Sequence, residues 1–476
     1  MCDGDLPTRY TPEIFYSGSY FKKEDSHQTE ERYHFYQSLC SWNKTLYLTV
    51  PSREENKELI PSNFLTEFSA LFAMTEKDST NYSDKIYSKE EFLSFVGSND
   101  RNYVMKVFGG KNFGVNLDDI YKSIDINEKR LNNPFGESEY TGFVRAKISN
   151  GIEEKLESLK QKDYSITQLE TYASCPYKYF AERILMLKPP EEPREDIEVM
   201  EMGSLLHVIL YEFYKTLHQK KIALQNCSND DFRYAEDLIF TIANEKIKSA
   251  NFNSPLTFYE KEKILGIDGN KHDSILYKFL EEERKSSGGF TPEFFEFGFG
   301  NLDDDKERRN LLNIKVGEIS IRGKIDRIDL NKESSVFKII DYKLGGKKPS
   351  INDLLNGLSL QLPIYMYAAK ELIKVQLEKD FNPVGAEIFS LKFNRREFGK
   401  MLIKITNQRK KISQDKLMDS WIENNERMIN ISLDAVKNYV NSMVQGKFNL
   451  STLSDREKGI CRYCSFKSIC RIQEVD

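Results

Sequence analysis

The segment Gly323-Lys324-Ile325-Asp326-Arg327-Ile328-Asp329-Leu330, the polar run Asn331-Lys332-Glu333-Ser334-Ser335, and Val336-Phe337-Lys338-Ile339-Ile340-Asp341-Tyr342-Lys343 together read as two strands joined by a short hairpin loop. With the turn near Glu333 and Ser334, Asp326 falls opposite Asp341 to within a register step. Opposed carboxylates on one face repel, at a cost of up to about 1 kcal/mol, unless a cation lies between them. A hard divalent ion is what such a pair holds. Side chains alternate along a strand, so Asp341 and Lys343 share a face while Tyr342 turns only its backbone toward it. Lys343 beside a metal can orient or deprotonate an attacking water and offset charge on a phosphate.

Asp-x-Lys alone is common and usually a surface ion pair, so its weight comes from its company. His207 lies on a helix-patterned run before the strands, Glu296 on an earlier strand, and Gln361 and Tyr365 on a helix after them. Gln361 and Tyr365, four residues apart, share a helix face where an amide and a phenol can grip a phosphate backbone. Pro363 between them requires the helix to begin nearby or to kink. The plainer readings are a hydrogen-bonded core histidine, a solvent-facing Glu296 and a helix face packed on the sheet. Arg327 and Asp329 read as an ion pair on one strand face, outside the site.

A second constellation closes the chain. Cys461, Cys464 and Cys470 have the spacing of three metal ligands, and Cys175, in Ser174-Cys175-Pro176-Tyr177, is the natural fourth. C-x2-C-x5-C with a remote partner suits an iron-sulfur cluster, and a structural zinc is the alternative. Tyr172, Tyr177, Tyr179, Phe180, Tyr463 and Phe466 alternate nearby with Lys178, Arg462, Lys467 and Arg471. They are either a platform for stacked bases and phosphates or ordinary packing around a buried centre. Cys2, Cys40 and Cys227 have no partner spacing and read as incidental thiols.

The 476 residues, 39% hydrophobic and 30% charged, suit a globular protein of two or three domains. A net charge of -5 excludes a basic protein that coats nucleic acid, so nucleic-acid contact requires local basic patches. The start is polar and acidic, unlike a secretory signal, and no apolar run approaches the roughly 20 residues that span a bilayer. A cytoplasmic protein without a membrane role is expected, its thiols reduced. Glu30 to Leu39 reads as a helix and Thr45 to Val50 as a buried strand. Ser165 and Gln168 form a helix capping box where a domain begins. A Pro- and Glu-rich loop runs from Lys188 to Glu198, and a helix with Leu206, Ile209, Leu210 and Phe213 on its apolar face begins near Gly203. Phe294–Phe299, Ile314–Leu330 and Val336–Leu344 read as strands, the pattern from Leu354 as helix, and the last helices as beginning at Ile431.

Taken in order, His207, Gly323 to Asp326, Asp341-Tyr342-Lys343 and Gln361-Leu362-Pro363-Ile364-Tyr365 resemble the nuclease core of the PD-(D/E)XK superfamily in its RecB-type branch. Leu169 to Phe180 and the closing cysteines resemble the iron-sulfur subset of that branch, and the AddB family of helicase-nuclease subunits is the nearest likeness, from Ser165 to the C-terminus. The resemblance implies an α/β, restriction-endonuclease-like core with a central mixed sheet flanked by helices. It also implies magnesium or manganese held by His207, Asp326, Asp341 and the Tyr342 carbonyl, with Lys343 assisting water and Glu296 a less certain neighbour. A [4Fe-4S] cluster on Cys175, Cys461, Cys464 and Cys470 would serve as a staple. The implied activity is cleavage of DNA, mainly single-stranded, in recombinational break repair beside an AddA-like helicase-nuclease subunit.

Glu30 to Leu46 resembles the last motif of superfamily 1 helicases, with Ser41 where active members carry a phosphate-contacting arginine. With no Walker A pattern in the chain, ATP hydrolysis is not expected. Three parts follow: 1–72 as the tail of an inactivated helicase-like domain, 73–164 as a helical connecting region, and 165–476 as the stapled nuclease domain. A chain beginning inside such a module is expected to be a truncated or split gene product. The competing readings are a catalytically idle DNA-binding and assembly module, against which the intact His207, Asp326, Asp341 and Lys343 argue, and a free-standing exonuclease of the CRISPR-adaptation type, against which the helicase-like segment argues.

Overall fold

The structure is a computed structural model. It describes residues 7–8, 10, 23–51, 53–54, 57–72, 86, 88–108, 114–147, 150–188, 199–249, 255–286, 289–301, 312–344, 349–391, 399–402 and 414–474. They fall into two compact units, Met1–Val115 and Asn116–Asp476. Cys2 and most of the loop expected from Lys188 to Glu198 lie outside the described residues.

In the first unit the expected helix at Glu30–Leu39 is part of a longer one, Glu24–Cys40, whose Phe35 packs against Phe64 and Phe68 of the helix Asn63–Leu71. The strand expected at Thr45–Val50 is not formed, and Tyr47 in it is 79% exposed. Its β-branched and aromatic residues favour a strand, but a strand needs a paired partner to bury them. Two further helices, Lys89–Ser98 and Arg101–Phe108, pack through Phe92, Phe95 and Phe108.

Among the described residues the second unit is built on a seven-stranded mixed sheet. Its strands are β1 (Tyr164–Ser165), β2 (Thr291–Phe299), β3 (Ile314–Val316), β4 (Ile319–Asn331), β5 (Val336–Lys343), β6 (Asn382–Ser390) and β7 (Gly399–Leu402). The long β4 organises it, pairing parallel with β1 and antiparallel with β2, β3 and β5, and β5 pairs parallel with β6. The run expected as one strand from Ile314 is broken at Gly317, whose φ of 65° turns β3 back onto β4.

Helices cover both faces, as a parallel β5–β6 pair requires. The described helices used below are α1 (Leu117–Asn132), α2 (Ile166–Ser174), α3 (Val199–Gln219), α4 (Asn229–Ser249), α5 (Ile275–Lys285), α6 (Gln361–Leu377) and α7 (Gln414–Val444). Helices α2, α6 and α7 share one core with Ile321, Ile325, Ile328 and Ile339 of the sheet. Helices α3, α4 and α5 share the other with Ile340, Tyr342 and Phe389. Ser165 caps α2 as expected, its hydroxyl accepting from Gln168 N–H at 3.3 Å. Helix α3 begins before Gly203, and α7 begins well before Ile431. Among the described residues no helix is long and apolar enough to cross a membrane.

Candidate metal centres

The hairpin register is Arg327↔Ile340 through Asn331↔Val336. Continued by one residue it sets Asp326 across from Asp341. The ladder stops there because Asp326 takes over the bond: its Oδ2 accepts the backbone N–H of Tyr342 at 2.8 Å. On the other neighbour, Phe295↔Arg327 and Phe297↔Ile325 leave Glu296 across from Asp326. Both strands invert their alternation at this point. Ile325 and Phe297 pack into the α6 core, whereas Phe295 packs into the α3 core and Arg327 reaches α3 through Tyr214. Glu296 absorbs the inversion with a φ of 49°, left-handed for a residue with a Cβ.

Helix α3 brings His207 over this fault. Its Nδ1 lies 3.4 Å from Asp326 Oδ1 and 3.6 Å from Glu296 Oε1. Its Nε2 donates to the Tyr342 carbonyl at 3.0 Å, so that carbonyl, expected to face an ion, faces the imidazole here. Burial alone would lower the histidine's pKa, but the two carboxylates outweigh it and hold the ring charged up to about 10. Burial opposes ionisation of Glu296 too, and His207 with Lys324 overcomes it, so this carboxyl ends below its ordinary value. Lys324 ion-pairs with Glu296 Oε2 from the half-exposed strand face.

Helix α6 supplies the other wall. Gln361 donates from Nε2 to Asp341 Oδ1 at 2.9 Å and accepts from Lys343 Nζ at 3.2 Å. Lys343 Nζ also lies 3.1 Å from Asp341 Oδ2. Tyr365, one turn on, interacts with Gln361 and with the Lys324 backbone, and burial raises its pKa. Its ring packs edge-on to Phe299. Both rings crowd Gly323, where a Cβ would lie 2.8 Å from Phe299 and 3.0 Å from Tyr365, which explains the glycine of Gly-x-x-Asp. Pro363 is harmless because α6 begins at Gln361 and its missing N–H falls in the first turn.

Glu170 of α2, given no role by the sequence, fixes that first turn. Its Oε1 accepts from Leu360 N–H at 2.7 Å and Gln361 N–H at 2.9 Å, a carboxylate on the positive end of α6. Nothing in the motif around Cys175 signals the distant partner of this carboxylate. Behind Tyr342, the expected Arg327–Asp329 pair is present and buried. Arg327 donates to Asp329 from Nε at 2.5 Å and Nη2 at 2.7 Å. Its Nη1 donates to Glu283 at 2.8 Å, to Tyr214 at 2.7 Å and to the Tyr342 hydroxyl at 3.2 Å. Tyr342 thus points away from the site while its backbone lines it.

These residues fit a divalent ion. Donor atoms of His207, Glu296 and Asp326 lie within 4.8 Å of one another. Asp341 Oδ2 is buried, and among the described residues it accepts no hydrogen bond apart from the nearby ammonium. Burial first, and then the charge of Asp326, push Asp341 up to about 6. A cation between the carboxylates removes that repulsion.

The four cysteines converge on one cavity, lined by Cys175, Cys461, Cys464 and Cys470 with Tyr177, Leu450, Ile460 and Ile472. Chain segments that far apart are laced together beside it. Tyr172 Oη donates to Lys447 O at 2.6 Å, Ser451 Oγ to Ser174 O at 2.6 Å, and Tyr177 N–H to Asn449 O at 3.0 Å. Arg130 of α1 donates to the Cys470 carbonyl. Burial, reinforced by the other three thiols, raises Cys175 to about 11. Thiolates are the form that binds a metal, so binding there would release the Cys175 proton. Of the aromatics nearby, Tyr172 and Tyr179 are buried in the sheet core, which is packing, while Tyr463 is 83% exposed.

The pattern that defines the PD-(D/E)XK nuclease superfamily matches residues 163–471. The chain is also similar to proteins named as the B-type subunits of ATP-dependent helicase/deoxyribonucleases. That of Thermoanaerobacter sp. (strain X514) is 23% identical, over 93% of this chain and 42% of the relative. That of Clostridioides difficile (strain 630) is 25% identical, over 94% and 43%. That of Clostridium botulinum (strain Langeland / NCTC 10281 / Type F) is 28% identical, over 71% and 30%. The chain thus spans about two-fifths of the length of the first two of these relatives.

Proposed function

Since the chain belongs to the PD-(D/E)XK nuclease superfamily, we propose that it hydrolyses phosphodiester bonds of DNA, mainly as an exonuclease on single strands, at the centre formed by His207, Asp326, Asp341 and Lys343. The observation that carries this is the buried Asp341, opposed to Asp326, with Lys343 and Gln361 fixed on its two oxygens. Asp326, Asp341 and His207, with Glu296 as a further donor, would hold magnesium or manganese, which supplies positive charge to the scissile phosphate. Lys343, 39% exposed, presents its ammonium on the open side, where it can orient the attacking water by donating to it and offset the charge that develops on the phosphate. Gln361 holds that ammonium and Asp341 in fixed relation, and Tyr365 braces Gln361.

The cysteine cavity is read as a [4Fe-4S] staple, supported by the convergence of the four cysteines on one cavity and by their C-x2-C-x5-C spacing with a remote fourth. By likeness to the AddB-type relatives, the polypeptide works in double-strand break repair with an AddA-like helicase-nuclease subunit, residues 165–476 forming the nuclease domain, 73–164 a connector and 1–72 the tail of an inactivated helicase-like domain. No Walker A pattern occurs in the 476 residues, and the reading assigns them no ATP hydrolysis. The test is incubation of anaerobically purified chain with end-labelled single-stranded and duplex DNA in Mg²⁺, Mn²⁺ or EDTA. Faster loss of the single strand, abolished by EDTA, is expected. A folded, cluster-bearing protein that cuts neither would overturn the reading in favour of an assembly role.

A further inference from the structure

We propose that Lys324, Arg322, Lys162 and Arg183 form a track that carries the phosphate backbone of a single nucleic-acid strand away from the metal centre, along β4 toward β1. The direction of the track rests on the nuclease reading of that centre. The net charge of -5 means that any such contact must be local, and here basic groups gather in one place.

The row starts at the metal centre. Lys324, with 48% of its side chain exposed, touches Glu296, which touches His207, which touches Asp326. Arg322 lies two residues back on the same strand face, about 7 Å along β4 and comparable to one phosphate step of an extended strand. A loop anchors it: Arg322 Nη1 donates to Asn301 O at 3.2 Å, and Asn301 Nδ2 donates to Asp163 at 2.8 Å. Across the parallel pairing, Ser165 is the partner of Arg322, and the residues leading into β1 include Lys162. Its ammonium lies 5.9 Å from the ring centres of both Tyr164 and Tyr179, which fixes it at the end of the row. Arg183, exposed and one helical turn beyond Tyr179, completes it.

The crowding has a cost that an anion removes. Burial first, then Arg183 and Arg322, lower the pKa of Lys162, so its ammonium is repelled by both guanidinium groups. Among the described residues no carboxylate forms an ion pair with Lys162 or Arg183. The nearest acid in sequence, Asp163, is engaged by Asn301. Tyr164 and Tyr179 are fully buried and offer no face for stacking, so the track reads backbone charge and not bases.

The test is fluorescence anisotropy of a labelled oligothymidylate with the full chain in EDTA, titrated at several salt concentrations. Arg183→Glu, on an exposed side chain, is expected to weaken binding about threefold to tenfold and to lower the slope of log Kd against log salt by about 0.7 per lost phosphate contact. Arg322→Gln and Lys162→Gln are expected to act in the same direction, and Lys437→Glu on α7 to leave binding unchanged. Equal affinity and equal salt slope in wild type and Arg183→Glu would overturn the track, as would a wild type that does not bind. Because no cleavage is needed, the two readings fail separately. Cutting with unaltered binding in the variants removes the track alone, and weakened binding without any cutting removes the nuclease alone.

Discussion

Asp341 is held where its charge is least welcome. A carboxyl whose pKa is raised from 3.8 to about 6 binds its proton more tightly in the folded chain than in the unfolded one. The metal-free protein therefore loses stability as pH rises between those values and stays weaker above them. The loss is on the order of 2–3 kcal/mol. Asp341→Asn is predicted to end cleavage yet raise metal-free stability by about that amount at pH 8, and by little at pH 4. Urea denaturation in EDTA at both pH values checks this; a destabilised variant at pH 8 would contradict it. His207 acts in the same sense. Its stability contribution, complete below the unfolded value near 6.5, is lost as pH rises toward about 10. Glu170 acts at a distance: Glu170→Ala removes the acceptor of two N–H groups and is predicted to lower kcat through Gln361 while Mn²⁺ affinity, read by calorimetry, is unchanged.

At the scale of elements, two strands that invert together make the site. The hairpin was legible in the sequence because a polar loop and period-two strands fix register, and Asp326 fell opposite Asp341 for that reason. The helix pair Gln361 and Tyr365 was legible through its four-residue spacing. The inversion at Glu296, the Lys324 ion pair and the Glu170 cap were not, since each depends on which distant segment lies alongside. Thr45–Val50 failed as a strand for the converse reason: propensity without a partner builds nothing. The strain at Glu296 gives a test. Glu296→Gly relieves about 1 kcal/mol of left-handed backbone while removing a carboxylate that compensates His207, so its thermal midpoint is predicted to lie above that of Glu296→Ala, which keeps the strain, and Mn²⁺ binding to weaken in both. The buried Arg327 behaves oppositely. Arg327→Met leaves Glu283 and Asp329 without their cation and is predicted to cost about 3–5 kcal/mol by denaturant titration.

For the molecule as a whole, the cysteine cavity joins residue 175 to residues 461–470 and so closes a loop that contains β2 to β7 and α3 to α7. Closing a long loop restricts the unfolded chain most, and metal affinity adds directly to folding. Cys464→Ala is predicted to lower the thermal midpoint of the second unit and remove bound iron; equal iron and folding in the variant, or zinc in its place, would contradict the staple. As proposed, the hairpin that carries Asp326 and Asp341 cuts DNA through a bound divalent ion. The direct measurement is degradation of end-labelled single-stranded DNA in Mg²⁺ by wild type and Asp341→Ala in parallel, both shown to carry iron. Cleavage by the wild type and none by the variant is the predicted result. Equal cleavage by both would mean that the reaction happens elsewhere.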